Sequence, residues 1–155
     1  MKQYCILIHY HELALKKDNK AWFEKIFQNN IKKQINDLPY KNINTYASRV
    51  FIYGINEKKW SDYKKQLKNI MGLKNALLVQ KVDAEIEEIQ SSAFNIIKNL
   101  EFDTFRISTK RQDKGFKFTS QEINKIIGGE IYKQSKKAVS LKKSDLNIII
   151  EIVRG

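Results

Sequence analysis

The chain has 155 residues, 42% of them hydrophobic, and 29 Lys and Arg against 17 Asp and Glu, a formal net charge of +12. That length suits one typical domain or two very small ones, and the cationic excess favours polyanionic partners, nucleic acid before an anionic membrane. The single cysteine, Cys5, excludes an internal disulfide and a cysteine-rich zinc module.

No apolar run approaches the ~20 residues of a membrane span. The start, "MKQYCILIHYHE", is too short in its apolar part, and lacks the small-residue cleavage site, for a secretory signal. A soluble, cytoplasmic protein with no membrane partner is expected.

Residues 4–10, "YCILIHY", are apolar and β-prone and read as a strand. After a polar break, Trp22, Phe23, Ile26, Phe27, Ile31 and Ile35 recur at steps of three and four, a helical stripe that Asp18 or Asn19 can cap. Pro39 ends it. "NINTYAS" and "RVFIYG" read as two short strands meeting near Ser48 and Arg49. Trp60, Tyr63, Leu67, Ile70 and Met71 make a second stripe, stopped by Gly72, and "NALLVQKV" is a fourth strand. The order β-α-β-β-α-β is that of a ferredoxin-like split unit, closing near Val82.

A second α/β unit follows. Acids at positions 83, 85, 87 and 88 open a helix whose dipole favours them, and Ile86, Ile89, Ala93, Ile96, Ile97 and Leu100 form its expected buried stripe. "TFRISTK" is a strand. Thr119 and Glu122 fit a capping box ahead of a helix burying Ile123, Ile126, Ile127 and Ile131. "KKAVSLKKSD" is a basic connector with room for one very short strand. Leu146 to Val153, nearly all apolar, suits a central strand covered on both faces. The fold expected is α/β (α+β): an N-terminal domain over 1–82 packed on a small α/β domain over 83–155.

Charge is uneven along the chain. Residues 1–80 hold 15 cations and 6 acids, residues 81–103 hold 2 and 6, and residues 104–143 hold 11 and 3. The lysines of "EKKWSDYKKQLK" lie off an apolar stripe and read as a solvated helix face. The junction "FRISTKRQDKGFKFTS", Phe105 to Ser120, differs: it carries five cations against one acid, between a strand and a helix start. Unpaired amides in a first helical turn take anions, and Lys110, Arg111, Lys114 and Lys117 would surround them. Phe116 either stacks on an unpaired base or packs ahead of the cap; Phe118, directly before Thr119, is read as a hydrophobic staple.

"KRQDKGFKFTSQEINKIIGGEI", Lys110 to Ile131, resembles the THUMP domain of the tRNA 4-thiouridine synthetases (tRNA sulfurtransferases). "HYHELALKKDNKAWFEKIFQNNI", His9 to Ile31, resembles the N-terminal ferredoxin-like domain of the same family. The likeness covers essentially the whole chain. It departs from the family pattern at His11 and Lys17, where glycines are usual, at Lys20 for arginine, and at Lys117 for proline. It implies tRNA binding at the acceptor stem and 3′ CCA end: Lys110, Arg111, Asp113, Lys114, Phe116, Thr119, Ser120 and Asn124 match the THUMP motif, Tyr10, Glu12, Lys16, Asn19, Phe23 and Glu24 match the N-terminal one, and Lys117 adds a cation to the same loop. Lys16, Lys20 and Arg49 would add to this surface, as would Lys136, Lys137, Lys142 and Lys143 in the basic connector. It also implies a possible homodimer.

The family enzyme continues into an ATP-pyrophosphatase-type domain, which is expected to be absent here. Gly128 and Gly129 lie inside a helical stripe and do not form a phosphate loop. Cys5, His9 and His11 share a strand face, yet no fourth ligand is marked, and a polar strand rim is the simpler reading. No nucleophile and base stand at a credible spacing. The expectation is therefore a non-catalytic protein with no cofactor and no metal. It would present tRNA to a separate ATP-pyrophosphatase-type chain for thiolation to 4-thiouridine. An isolated fragment of a longer synthetase would look the same. The alternative is a protein–protein interaction subunit with only incidental RNA affinity.

Overall fold

The computed structural model describes residues 3–11 and 19–153. Two compact units divide the chain, Met1–Lys81 and Val82–Gly155. In the first, β1 (Gln3–Tyr10), β2 (Asn42–Tyr46), β3 (Arg49–Tyr53) and β4 (Leu73–Lys81) form a four-stranded sheet in the order β2-β3-β1-β4, antiparallel throughout. The helices α1 (Lys20–Gln34) and α2 (Trp60–Leu67) supply the crossovers. This is the ferredoxin-like arrangement.

Strand alternation decides which side chains meet the helices. Ile6, Ile8 and Tyr10 of β1, with Val50 and Ile52 of β3, join Phe27, Ile31, Tyr63 and Leu67 in one buried cluster. The α1 stripe is narrower than the sequence suggests. Phe27, Ile31 and Ile35 are buried, whereas Trp22 is 66% exposed and Ile26 is also exposed. At ~100° per residue Trp22 lies about 180° around the helix from Ile31, on the opposite face. Asn19 occupies the N-cap but makes no side-chain cap bond. Asp18 lies outside the described residues. The second helix ends at Leu67, short of Gly72, which leaves Met71 in a turn and exposed.

The hairpin between β2 and β3 turns on Ala47 and Ser48, both left-handed at φ 50° and 61°. Two-residue hairpins need this geometry, and most sequences meet it with Asn-Gly.

The second unit contains α3 (Ile86–Ile97), β5 (Thr104–Arg111), α4 (Ser120–Ser135), β6 (Ala138–Val139) and β7 (Leu146–Ile152). Its sheet is parallel, in the order β6-β5-β7. Phe105 and Ile107 meet Ile123, Ile127 and Ile131 of α4, Ile89, Ala93 and Ile97 of α3, and Ile150 and Ile152 of β7. The expectation of a doubly covered central β7 is corrected. β5 is central, while β7 lies at an edge and Ile149 is half exposed. A run of isoleucines looks alike on both faces, so it does not reveal which face is covered. Ile96 and Leu100, expected in the α3 core, are also about half exposed. Leu100 lies beyond the helix end, and nothing in the packing explains Ile96.

Candidate nucleic-acid interface

The basic junction follows the carboxyl end of β5. Alternation sends Phe105, Ile107, Thr109 and Arg111 toward α4, and Arg106, Ser108 and Lys110 to the other face. The adjacent cations Lys110 and Arg111 therefore do different things. Lys110 is exposed. Arg111 is partly buried and donates from Nη1 to the carbonyls of Phe116 (3.2 Å) and Phe118 (3.3 Å). This corrects the reading of Arg111 as one of four cations around a common spot; it ties the loop to the strand.

Other bonds fold the loop on itself. The amides of Gln112 and Asp113 donate to the Ile152 carbonyl at the end of β7, at 2.7 and 3.1 Å. The Gly115 amide donates to Asp113 Oδ1 at 3.0 Å. Phe116 and Phe118 pack edge to face with centroids 6.2 Å apart, both against the core of the second unit. Phe118 joins the cluster that holds Ile123, as a staple requires. Phe116 is partly buried against the same cluster, the packing alternative of its two readings. Lys114 and Lys117 are exposed, with Lys117 Nζ 5.5 Å from the Phe118 ring centroid.

The helix start carries the full capping box. The Glu122 amide donates to Thr119 Oγ1 (3.2 Å), and the Thr119 amide donates to Glu122 Oε1 (3.1 Å). The Thr119 backbone and side-chain bonds, with a smaller contribution from the Arg111 charge, hold the Glu122 carboxyl below its usual range. Two of the four first-turn donors are thereby taken. Ser120 and Gln121 have amides with no protein acceptor among the described residues. The Asn124 side chain is also engaged, its Oδ1 accepting from Thr109 Oγ1 at 2.7 Å. Thr119 and Asn124 thus also hold the turn and the helix start in place. Replacing Thr119 by alanine is expected to cost ~1 kcal/mol, seen as a lower unfolding midpoint in urea. An unchanged midpoint would show that the box contributes nothing.

The basic connector lies elsewhere. Ala138 and Val139 of β6 pair with Thr104 and Phe105, and the Lys143 carbonyl accepts from Thr104 Oγ1 at 3.4 Å. Lys136, Lys137, Lys142 and Lys143 therefore flank the amino end of β5. At ~3.3 Å per residue that end is about 20 Å from Lys110, so these lysines form a second group and not an extension of the first. Lys136 caps α4 in the left-handed region, at φ 61°.

In the first unit, Arg49 is 7% exposed and donates from Nη1 to the Ala47 carbonyl at 2.8 Å. This corrects its assignment as a surface contact. Lys20 is exposed and donates to Ser48 Oγ at 2.8 Å. Lys16 lies outside the described residues, as does Glu12. The motif residues Tyr10, Phe23 and Glu24 are structural: Tyr10 donates to Glu24 Oε2 at 2.9 Å, and its ring lies 5.4 Å from that of Phe23.

Cys5 is buried, and that burial pushes its thiol up to about 11. At pH 8 it is expected to resist alkylating reagents until the protein unfolds; labelling at native rates would contradict the buried position. Because the folded pKa exceeds the usual 9.0, its share of stability is whole below pH 9 and falls as pH rises through about 11. His9 Nδ1 pairs with Asn75 Oδ1 at 2.7 Å. No helix among the described residues is long and apolar enough to cross a membrane.

The fold and the basic loop together define a ferredoxin-like unit followed by a small parallel α/β unit with a cationic strand-to-helix turn. Two family models match in that order: the ThiI ferredoxin-like domain over residues 5–76 and the THUMP domain over residues 83–155. Between them the two models span nearly the whole chain, which carries a ThiI ferredoxin-like domain followed by a THUMP domain. A probable tRNA sulfurtransferase of Caldanaerobacter subterraneus subsp. tengcongensis is 29% identical over 148 residues, 95% of this chain but 38% of that protein. The chain thus spans under two-fifths of its relative's length. The crystal structure of PH1313 from Pyrococcus horikoshii Ot3 superposes with a TM-score of 0.84 at 26% identity, covering all of this chain and 52% of the other. A 4-thiouridine synthetase solved as an RNA complex with bound ATP shares the fold, with a TM-score of 0.76 at 22% identity over 97% of this chain and 39% of its own.

Proposed function

We propose that this chain is the tRNA-binding part of a tRNA-modifying system. It engages the acceptor stem and the unpaired 3′ CCA end and presents the tRNA to an ATP-pyrophosphatase-type catalytic domain that forms 4-thiouridine. The observation that carries the reading is the turn after β5: Lys114 and Lys117 are exposed in the segment that leads into a helix start with two donors, the Ser120 and Gln121 amides, without protein acceptors among the described residues, and Lys110 is exposed at the end of the strand before it. Such a turn suits a phosphate or a terminal nucleotide. The RNA held by the 4-thiouridine synthetase of the same fold supports a nucleic-acid ligand.

Phosphate contacts supply affinity without sequence, and single-stranded ends supply selectivity in RNA. A gel shift comparing full tRNA with tRNA trimmed of its CCA end tests the reading. Tighter binding of the full tRNA is expected; equal affinity would remove the 3′ end from the site. The second reading, a subunit that mainly docks a partner protein, draws on Trp22 and Ile26, one helical turn apart and both exposed. Tight capture of a catalytic chain without tRNA would favour it.

A further inference from the structure

An open groove in the first unit lies between the start of α1 and the β2–β3 turn, and it is lined by Lys20, Lys25, Gln28, Thr45 and Ser48 among others. We propose that this groove is a second phosphate subsite, separate from the turn after β5 and built from the hairpin amides, two lysines and two hydroxyls.

The turn supplies the donors. Tyr46 and Arg49 close the hairpin, so the Ala47 and Ser48 amides are outside the strand ladder, and neither has an acceptor among the described residues. Ala47 and Ser48 both line the groove, so two turn amides without protein acceptors stand beside it, and unpaired turn amides take anions. The side chains extend it. Ser48 Oγ accepts from Lys20 Nζ, which frees its own proton for an outside acceptor. Thr45 Oγ1 accepts from Gln28 Nε2 and is left in the same state. Lys20 spends one of three donors on Ser48, and Lys25 adds a second exposed charge.

The electrostatics favour an anion. The one carboxylate in the lining, Glu24, accepts from the Tyr10 hydroxyl. Arg49, almost fully buried, donates to the Ala47 carbonyl and so places a guanidinium against the turn's acceptor rather than its donors. Left-handed Ala and Ser cost ~1–2 kcal/mol per residue relative to right-handed backbone, and such strain gathers where a backbone clamps a ligand.

The natural ligand, a backbone phosphate of RNA, rests on the tRNA-binding reading; the groove's affinity for a phosphate group does not. The test is a titration of the isotope-labelled 155-residue chain, followed at the Ala47 and Ser48 amide resonances, with an acceptor-stem minihelix RNA bearing a single-stranded 3′ end and separately with inorganic phosphate. Both resonances are expected to move with the minihelix. In a Lys20→Ala, Lys25→Ala variant they should stay still, while affinity falls about fivefold and the salt slope drops by about 1, as loss of one phosphate contact requires. Minihelix binding that leaves both amides unmoved would overturn the subsite and leave the tRNA reading standing. Absence of any RNA binding, with the amides still moving in inorganic phosphate, would keep the subsite and sink the tRNA reading. Silence toward both ligands would overturn the subsite outright.

Discussion

Replacing Lys110, Lys114 and Lys117 together by alanine is expected to weaken tRNA binding roughly 20- to 100-fold near physiological salt. All three are exposed, and none supports the core. Each phosphate contact releases about 0.7–0.9 of a counterion, so losing two or three lowers affinity by roughly that range and flattens the salt dependence by about 2. Filter binding across a salt series measures both quantities. The unfolding midpoint should not move, which separates a contact role from a structural one. An unchanged dissociation constant at every salt concentration would take the turn out of the interface.

Arg111→Ala is expected to act by a different route. It removes the donor to the Phe116 and Phe118 carbonyls, which then have no replacement inside the loop. Hydrogen bonds from a charged donor contribute roughly 1.5–3 kcal/mol, so the second unit should lose about 2 kcal/mol, a drop of roughly 10 °C in its melting temperature. Trypsin should then cut the native protein after Lys114 and Lys117 far faster than it cuts wild type. Arg111→Lys keeps the charge but not the planar fork, and should be nearly as protease-sensitive as alanine. Full protection in the lysine variant would show that charge, not the paired bonds, holds the loop.

The contrast between Lys110 and Arg111 shows what a one-dimensional reading sees. The strand–turn–helix order and the Thr119–Glu122 box were both visible, because they depend on local periodicity and capping. That two neighbouring cations part to opposite faces follows from strand alternation alone, and it was available once β5 was assigned through Arg111. Trp22 was also recoverable, since a helical wheel separates it from Ile31. Arg49 was not: its burial depends on the hairpin and sheet neighbours around it. The groove beside Ala47 and Ser48 had no signal either, because neither residue type announces a left-handed turn.

Local chemistry along the chain specified the order of elements, the helix start after the basic junction and the family resemblance, because hydrophobic period, caps and motif spacing act over a few residues. Three-dimensional packing assigned which lysines stand together. The parallel pairing of β5 with β6 puts the 136–143 cations about 20 Å from Lys110, and the core under α4 draws Arg111 and Phe116 inward. Strand pairing joins residues far apart in sequence, so a charge count along the chain cannot group them, whereas hydrogen-bond register can.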